Sequence, residues 1–140
     1  MRKINDILKQ CAVIEVIGDN DRLVSGLAFD SRKCTDGMAF FAIRGTQVDG
    51  HDFIDKVVEQ GTKVIVCEHI PSVMADDVTY YVVDDTAKSL GYAASEFYGR
   101  PSEKLRLVGV TGTNGKTTIA TLLYRLFFNA GYPCGLLSTI

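Results

Sequence analysis

LRLVGVTGTNGKTT, residues 105–118, is the stretch on which the reading of this chain turns. Leu105 to Thr111 is a near-continuous apolar run of the kind that forms a strand buried in a parallel sheet. Gly112-Thr113-Asn114-Gly115 then reads as a loop, and Lys116-Thr117-Thr118 opens a helix expected over 117–130. Ile119, Leu122, Leu123, Leu126 and Phe127 repeat at the spacing of one apolar helix face. Gly131 stops the helix, and Cys134–Thr139 reads as another strand. Strand, glycine-rich loop and helix in this order are the context a phosphate-binding loop requires. Glycines let the backbone turn tightly and approach a ligand closely. The N–H groups of residues 112–118 would converge at a helix N-terminus, where unpaired donors and the helix dipole favour phosphate. Lys116 would meet the β- and γ-phosphates and act in catalysis, and the Thr117 hydroxyl would ligate Mg²⁺. The expected ligands are therefore a nucleoside triphosphate and Mg²⁺, with Gly112, Thr113, Asn114, Gly115, Lys116, Thr117 and Thr118 around the nucleotide. The loop is a variant: Val110 holds the slot of the strict pattern's first glycine, with Gly109 one residue earlier. A G-x-x-G-K-[ST] string arises by chance in about 0.5% of chains of this length, so a mere turn is the weaker reading.

Upstream, the pattern alternates between strands and helices. Residues 3–10 read as a short helix, 23–29 and 38–43 as strands, 52–60 as a helix, and 63–67 (KVIVC) and 79–83 (TYYVV) as strands. A helix begins at Asp84-Asp85-Thr86 and ends near Gly99, with Pro101 following. Residues 1–100 thus make a small α/β unit. A boundary is expected at 99–102, giving domains 1–100 and 101–140. The second is expected to be the first strand–loop–helix–strand of a truncated Rossmann-like ATPase domain, since forty residues are too few for a doubly wound domain.

Charge shifts at the same place. Residues 1–100 hold 11 Lys/Arg and 16 Asp/Glu, and residues 101–140 hold 4 and 1, so the C-terminal piece tolerates an anion better. The net charge of −2 gives no reason to expect nucleic-acid binding. No segment reaches the roughly 18 apolar residues of a membrane span, and the N-terminus MRKINDILKQ lacks the apolar core of a signal peptide. Cys11, Cys34, Cys67 and Cys134 contain no C-x-x-C pair and are expected as buried free thiols in a reducing cytoplasm.

The loop GVTGTNGKTT resembles that of the Mur ligases, which build the peptide stem of peptidoglycan. FDSRKCTDGMAFFAIRGTQVDGHDFI, residues 29–54, resembles the N-terminal UDP-binding domain of the member that adds the third residue of the stem, and the similarity continues through YGRPSEKLRLVGVTGTNGKTT. Folylpolyglutamate synthases share GTNGK but follow it with Gly-Ser instead of Thr117-Thr118. The resemblance implies an ATP-dependent amide ligase acting on UDP-N-acetylmuramoyl-L-alanyl-D-glutamate, adding meso-diaminopimelate or L-lysine. It implies that Ser31 contacts the UDP part, that Phe29 presents backbone near the uracil, and that Thr46, Gln47 and Val48 complete the site. Some relatives carry His where this chain has Thr46. The incoming amino acid would bind a C-terminal domain that lies outside these residues, so the chain alone is expected to be inactive.

Read without the resemblance, the same residues have plainer roles. Asp30-Ser31-Arg32 ends a strand, where Asp and Ser commonly bond neighbouring backbone. Asp49-Gly50-His51 is a turn into a helix with a cap, and Asp76-Asp77 and Asp84-Asp85 are solvated turns or a helix N-terminus. Two rival readings are a stand-alone nucleotide-binding module and the ligase that adds the terminal D-alanyl-D-alanine. The apolar face of 117–130 is expected either to fold back onto the first domain or to pair with another copy as a non-native dimer.

Overall fold

A computed structural model of the chain describes residues 1–138. It divides into two compact units, Met1–Lys104 and the residues from Leu105 on.

The first unit is built on a five-stranded sheet. Its elements in order are β1 (Arg2–Lys3), α1 (Ile4–Ile7), β2 (Val13–Ile17), β3 (Leu23–Val24), β4 (Gly26–Ala28) and β5 (Met38–Phe41). A 3-10 turn (Gly50–Phe53) leads into α2 (Ile54–Glu59), followed by β6 (Val64–Cys67), β7 (Thr79–Val83), α3 (Thr86–Phe97) and α4 (Pro101–Lys104). The sheet order is β2-β7-β6-β5-β4, and a separate two-stranded ribbon pairs β1 with β3. Strands β4 to β7 are mutually parallel, and β2 joins antiparallel at the β7 edge, with a bulge between Val13 and Glu15.

Strand periodicity sorts the core onto two faces. Ala39, Phe41, Val64, Val66, Tyr81 and Val83 face one side with Ile4 and Ile7 of α1 and Ala93 of α3. Phe40, Ile65, Cys67 and Tyr80 face the other, against Ile54 and Val57 of α2. All four residues of β6 are buried, as expected of an interior parallel strand covered on both faces. Asp85 caps α3 by accepting from the Lys88 N–H (2.8 Å). Gly99 (φ +75°) turns the chain out of it, and the Arg100 N–H bonds back to Ser95 O. Pro101–Lys104 then forms one further helical turn within the first unit.

Cysteine placement divides the expectation for the thiols. All four are free; Cys34 and Cys67 are buried and Cys11 half-buried, whereas Cys134 is exposed. Burial pushes the Cys67 thiol up to about 11, with the Glu68 charge adding to it.

The second unit contains α5 (Lys116–Asn129). The expected strands at 105–111 and 134–139 are corrected here: residues 106–111 and 132–138 form no strand, and residue 139 lies outside the described residues. No described residue from 105 onward is buried, and Leu107, Leu122 and Leu126 are exposed. A parallel strand needs partners on both sides to bury its run of Leu and Val. Among the described residues, the second unit offers none.

Candidate functional site

In an open parallel sheet, ligands bind beyond the carboxyl ends of the strands. The sequence-expected residues of the first unit lie at that edge. Phe29 and Ser31 follow β4, and Thr46, Gln47 and Val48 follow β5, its direct neighbour.

The turn after β4 separates the roles of Asp30, Ser31 and Arg32. Asp30 does the local work: its carboxylate accepts from the Arg32 N–H (3.0 Å) and pairs with the Arg32 guanidinium (2.8 Å). That pairing with Arg32 holds the Asp30 carboxyl down at about 2. Ser31 is 8% exposed, and among the described residues its hydroxyl bonds to no protein group. A hydroxyl so placed is available to an external acceptor or donor. Phe29 stands 64% exposed beside it.

The loop after β5 is a tight excursion. Arg44 and Asp49 form an isolated antiparallel bridge, and Gly45 N–H donates to Val48 O (2.9 Å). Thr46 and Gln47 therefore sit at the tip, and Thr46, Gln47 and Val48 are all exposed. The loop closes through the Gly50 N–H, which donates to Ile43 O (2.8 Å). A Cβ at position 50 would lie 2.6 Å from Ile43 O and 2.7 Å from Ile43 N, so only glycine fits this approach.

Asp49 and His51 fix the base of that loop. The Asp49 Oδ1 accepts from the His51 N–H (2.9 Å) and meets His51 Nδ1 (2.6 Å), and Oδ2 accepts from Arg44 Nε (3.2 Å). The His51 backbone donor, followed by its ring, holds the Asp49 carboxyl down at about 2. A carboxyl depressed in the folded state stabilises it above the ordinary Asp range near 4, and loses that contribution as pH falls through the folded value. A pH titration followed on the Gly50 amide resonance is expected to show a transition centred on the folded value of about 2, over the range from about pH 4 to pH 1. Asp49→Asn removes it; a wild-type resonance that stays flat over this range contradicts the assignment.

Sequence reasoning missed the partners of this pair. His51 Nε2 receives the Glu68 N–H (2.9 Å), and the His69 ring stacks on His51 at 4.1 Å. Glu68 Oε1 accepts from the Thr86 N–H (3.2 Å), and Thr86 Oγ1 lies 3.0 Å from Ala42 O. Glu68 and His69 directly follow β6, so their position after a strand end was the available signal.

The second unit carries the glycine loop by itself. Gly115 precedes α5 in the left-handed region at φ +73°, a conformation that favours glycine. The first helical bond is Ile119 N–H to Gly115 O (2.9 Å), so the N–H groups of Lys116, Thr117 and Thr118 have no intrahelical acceptor. Lys116 Nζ bonds back to Gly112 O (2.6 Å) and Thr113 O (3.4 Å), which holds the ammonium over the loop. The expected residues Gly112 to Thr118 thus form one contiguous, exposed, donor-rich turn. Among the described residues no cluster of three His, Cys, Asp or Glu can hold a metal. A hard cation here would rest on the Thr117 hydroxyl and on oxygens brought by a nucleotide, a donor set that suits Mg²⁺.

Comparison with known proteins bears on both units. A UDP-N-acetylmuramoyl-L-alanyl-D-glutamate--2,6-diaminopimelate ligase of Phocaeicola vulgatus is 50% identical over 138 residues, covering 99% of this chain and 28% of that protein. The chain thus spans little more than a quarter of its relative. A crystal structure of MurF from Acinetobacter baumannii superposes with a TM-score of 0.72 at 24% identity, over 91% of this chain and 27% of that one, a likeness of fold. MurF ligase from Thermotoga maritima, solved in complex with ADP, matches at TM-score 0.56 and 32% identity, over 74% of this chain and 23% of that one. Among the described residues no helix is long and apolar enough to cross a membrane. The sequence pattern described as "Mur ligase family, catalytic domain" matches residues 23–98, from β3 through α3, and stops short of the glycine loop. Since that pattern runs without a break over the very strands whose ends carry Ser31 and Thr46–Val48, the chain belongs to the Mur ligase family.

Proposed function

We propose that the chain is the N-terminal part of a cytoplasmic, ATP-dependent amide ligase of peptidoglycan synthesis. Its substrate would be UDP-N-acetylmuramoyl-L-alanyl-D-glutamate, and the residue added meso-diaminopimelate. The observation that carries the reading is the presence of two nucleotide-type elements in one chain: the open Ser31 hydroxyl beside the Thr46–Val48 loop, and the donor-rich turn Gly112–Thr118. The name of the Phocaeicola vulgatus relative favours diaminopimelate over L-lysine. The MurF neighbours support the fold and do not favour the dipeptide-adding reaction, at 24% identity for the Acinetobacter baumannii protein.

In this reading the first unit holds the uridine nucleotide, with Ser31 and the exposed tip Thr46–Val48 as contacts and Phe29 beside them. The second unit holds ATP. Its backbone donors and Lys116 would neutralise the phosphates, and the Thr117 hydroxyl would help hold a nucleotide-borne Mg²⁺, which when bound would supply further charge neutralisation. The γ-phosphoryl group passes to the D-glutamate carboxylate, giving an acyl phosphate and ADP; the amine then displaces phosphate. Phosphate-release assays test this. The full-length protein is expected to release phosphate only with ATP, the UDP-dipeptide and diaminopimelate together. The 140-residue chain is expected to release none, because positioning of the acceptor is most of phosphoryl-transfer catalysis. Turnover driven by D-alanyl-D-alanine, or Lys116-dependent turnover by the 140-residue chain alone, would sink the proposal.

A further inference from the structure

We propose that His51 is a positioning residue for uridine-nucleotide recognition: as the neutral tautomer protonated at Nδ1, it ties the base of the Thr46–Val48 loop to the carboxyl end of β6. This rests on the reading of that loop as part of the uridine site.

Hydrogen bonding fixes the tautomer. His51 Nε2 lies 2.9 Å from the Glu68 backbone nitrogen, which can only donate. Nε2 is therefore the bare nitrogen and Nδ1 carries the hydrogen. That hydrogen points at Asp49 Oδ1, 2.6 Å away, which can only accept while ionised. One ring thus joins a rigid anchor to a loop residue. The anchor is rigid because Glu68 follows the fully buried β6 and its carboxylate caps the start of α3 through the Thr86 N–H. The loop residue is Asp49, whose other oxygen holds Arg44 across the neck of the loop. The His51 side chain is only 5% exposed, and the His69 ring lies nearly parallel against it, 11° from coplanar. Among the described residues the exposed tip has nothing comparable to hold it; the bond recorded within it is Gly45 N–H to Val48 O. Holding a loop in its bound geometry before the ligand arrives improves affinity by reducing the ordering cost of binding.

Two substitutions separate positioning from folding. His51→Phe keeps a stacking ring and loses both hydrogen bonds. His51→Gln keeps an acceptor near the Nε2 position for the Glu68 N–H. Calorimetric titration of the chain with UDP is expected to show His51→Phe binding at least about tenfold more weakly than wild type. His51→Gln is expected to recover affinity to within about threefold of wild type. Nitrogen NMR of the wild-type ring is expected to show Nδ1 protonated and Nε2 bare. Wild-type chain that fails to bind UDP overturns the uridine reading, and this inference with it. Binding by wild type with equal affinity in His51→Phe overturns this inference alone. Should His51→Phe fail to fold, a protonated Nε2 in wild type, or His51→Gln no better than the loss expected of Phe, overturns it.

Discussion

Under the proposed function, Lys116→Ala in the full-length protein is expected to abolish amide formation while leaving affinity for the UDP-dipeptide nearly unchanged. The two parts of this result have separate causes. Lys116 sits at the start of α5, and its ammonium is held over the glycine loop by Gly112 O and Thr113 O. In the proposed reaction this is the loop charge that would follow the transferring phosphoryl group. Removing one such preorganised donor costs about 10²–10³-fold in rate, and a full positive charge on a phosphoryl group more, so at least about 10³-fold is expected, or roughly 4 kcal/mol of barrier. The proposed uridine edge, by contrast, is built from β4 and β5 in the other compact unit. Initial rates at saturating substrate, with a parallel UDP-dipeptide titration, measure both quantities. A variant that keeps a tenth or more of its rate, or that loses UDP-dipeptide affinity in step with its rate, contradicts the assignment.

Gly50→Ala is expected to damage the opposite unit, and through packing alone. The added Cβ would meet backbone atoms of Ile43 at 2.6 and 2.7 Å and of Ala42 at 3.0 Å. Backbone cannot step aside as a flexible side chain can. The neck of the loop must open, and the Gly50 N–H to Ile43 O bond at 2.8 Å is lost. Overpacking and one lost hydrogen bond together cost about 2–4 kcal/mol. For a unit of about 100 residues this lowers the thermal midpoint by roughly 10–20 °C. Since the same neck carries Thr46–Val48, UDP binding is expected to fall below detection at temperatures where the variant is still folded. An unchanged midpoint with wild-type affinity would show that the neck is not the constraint described here.

How much of this was legible depended on whether a signal was local. Strand β7 matches the expected 79–83, and α5 at 116–129 matches the expected 117–130 to within a residue, because β-branched and aromatic runs and a regular apolar helix face need no distant information. Strand β2, by contrast, has apolar residues on both sides of Glu15 and is mostly exposed. Its five residues, VIEVI, carry the same β-branched signal as β7, so the strand was legible in the sequence; what they do not announce is the antiparallel edge of β7 that it pairs with. The run at 105–111 failed in the opposite direction. It has the composition of a buried parallel strand, but composition does not supply neighbours, and among the described residues it has none.

The site followed the same division. The glycine loop is contiguous, so its seven residues could be read as one unit. The Asp49–His51 cap was legible as a turn, and Asp49 does accept from the His51 N–H. The partners that give His51 its place, Glu68 and His69, lie 17 and 18 residues later and meet it only when β6 is laid beside β5. For Asp30-Ser31-Arg32 the bare tripeptide suggested that both Asp and Ser bond neighbouring backbone. The structure gives that work to Asp30, and among the described residues the Ser31 hydroxyl is left without a protein partner, which supports its proposed role as a contact.

That freedom also gives the most direct test of the central claim, that the first unit is a binding site for a uridine nucleotide-sugar. The measurement is calorimetric titration of the chain with UDP-N-acetylmuramoyl-L-alanyl-D-glutamate, for wild type, Ser31→Ala and Lys116→Ala. The predicted result is saturable binding at one site, weakened in Ser31→Ala by the loss of one hydrogen bond to a polar or charged ligand group, about 0.5–3 kcal/mol or roughly 2- to 150-fold, and unchanged in Lys116→Ala. Absence of binding, or binding indifferent to Ser31→Ala and abolished by Lys116→Ala, would contradict it.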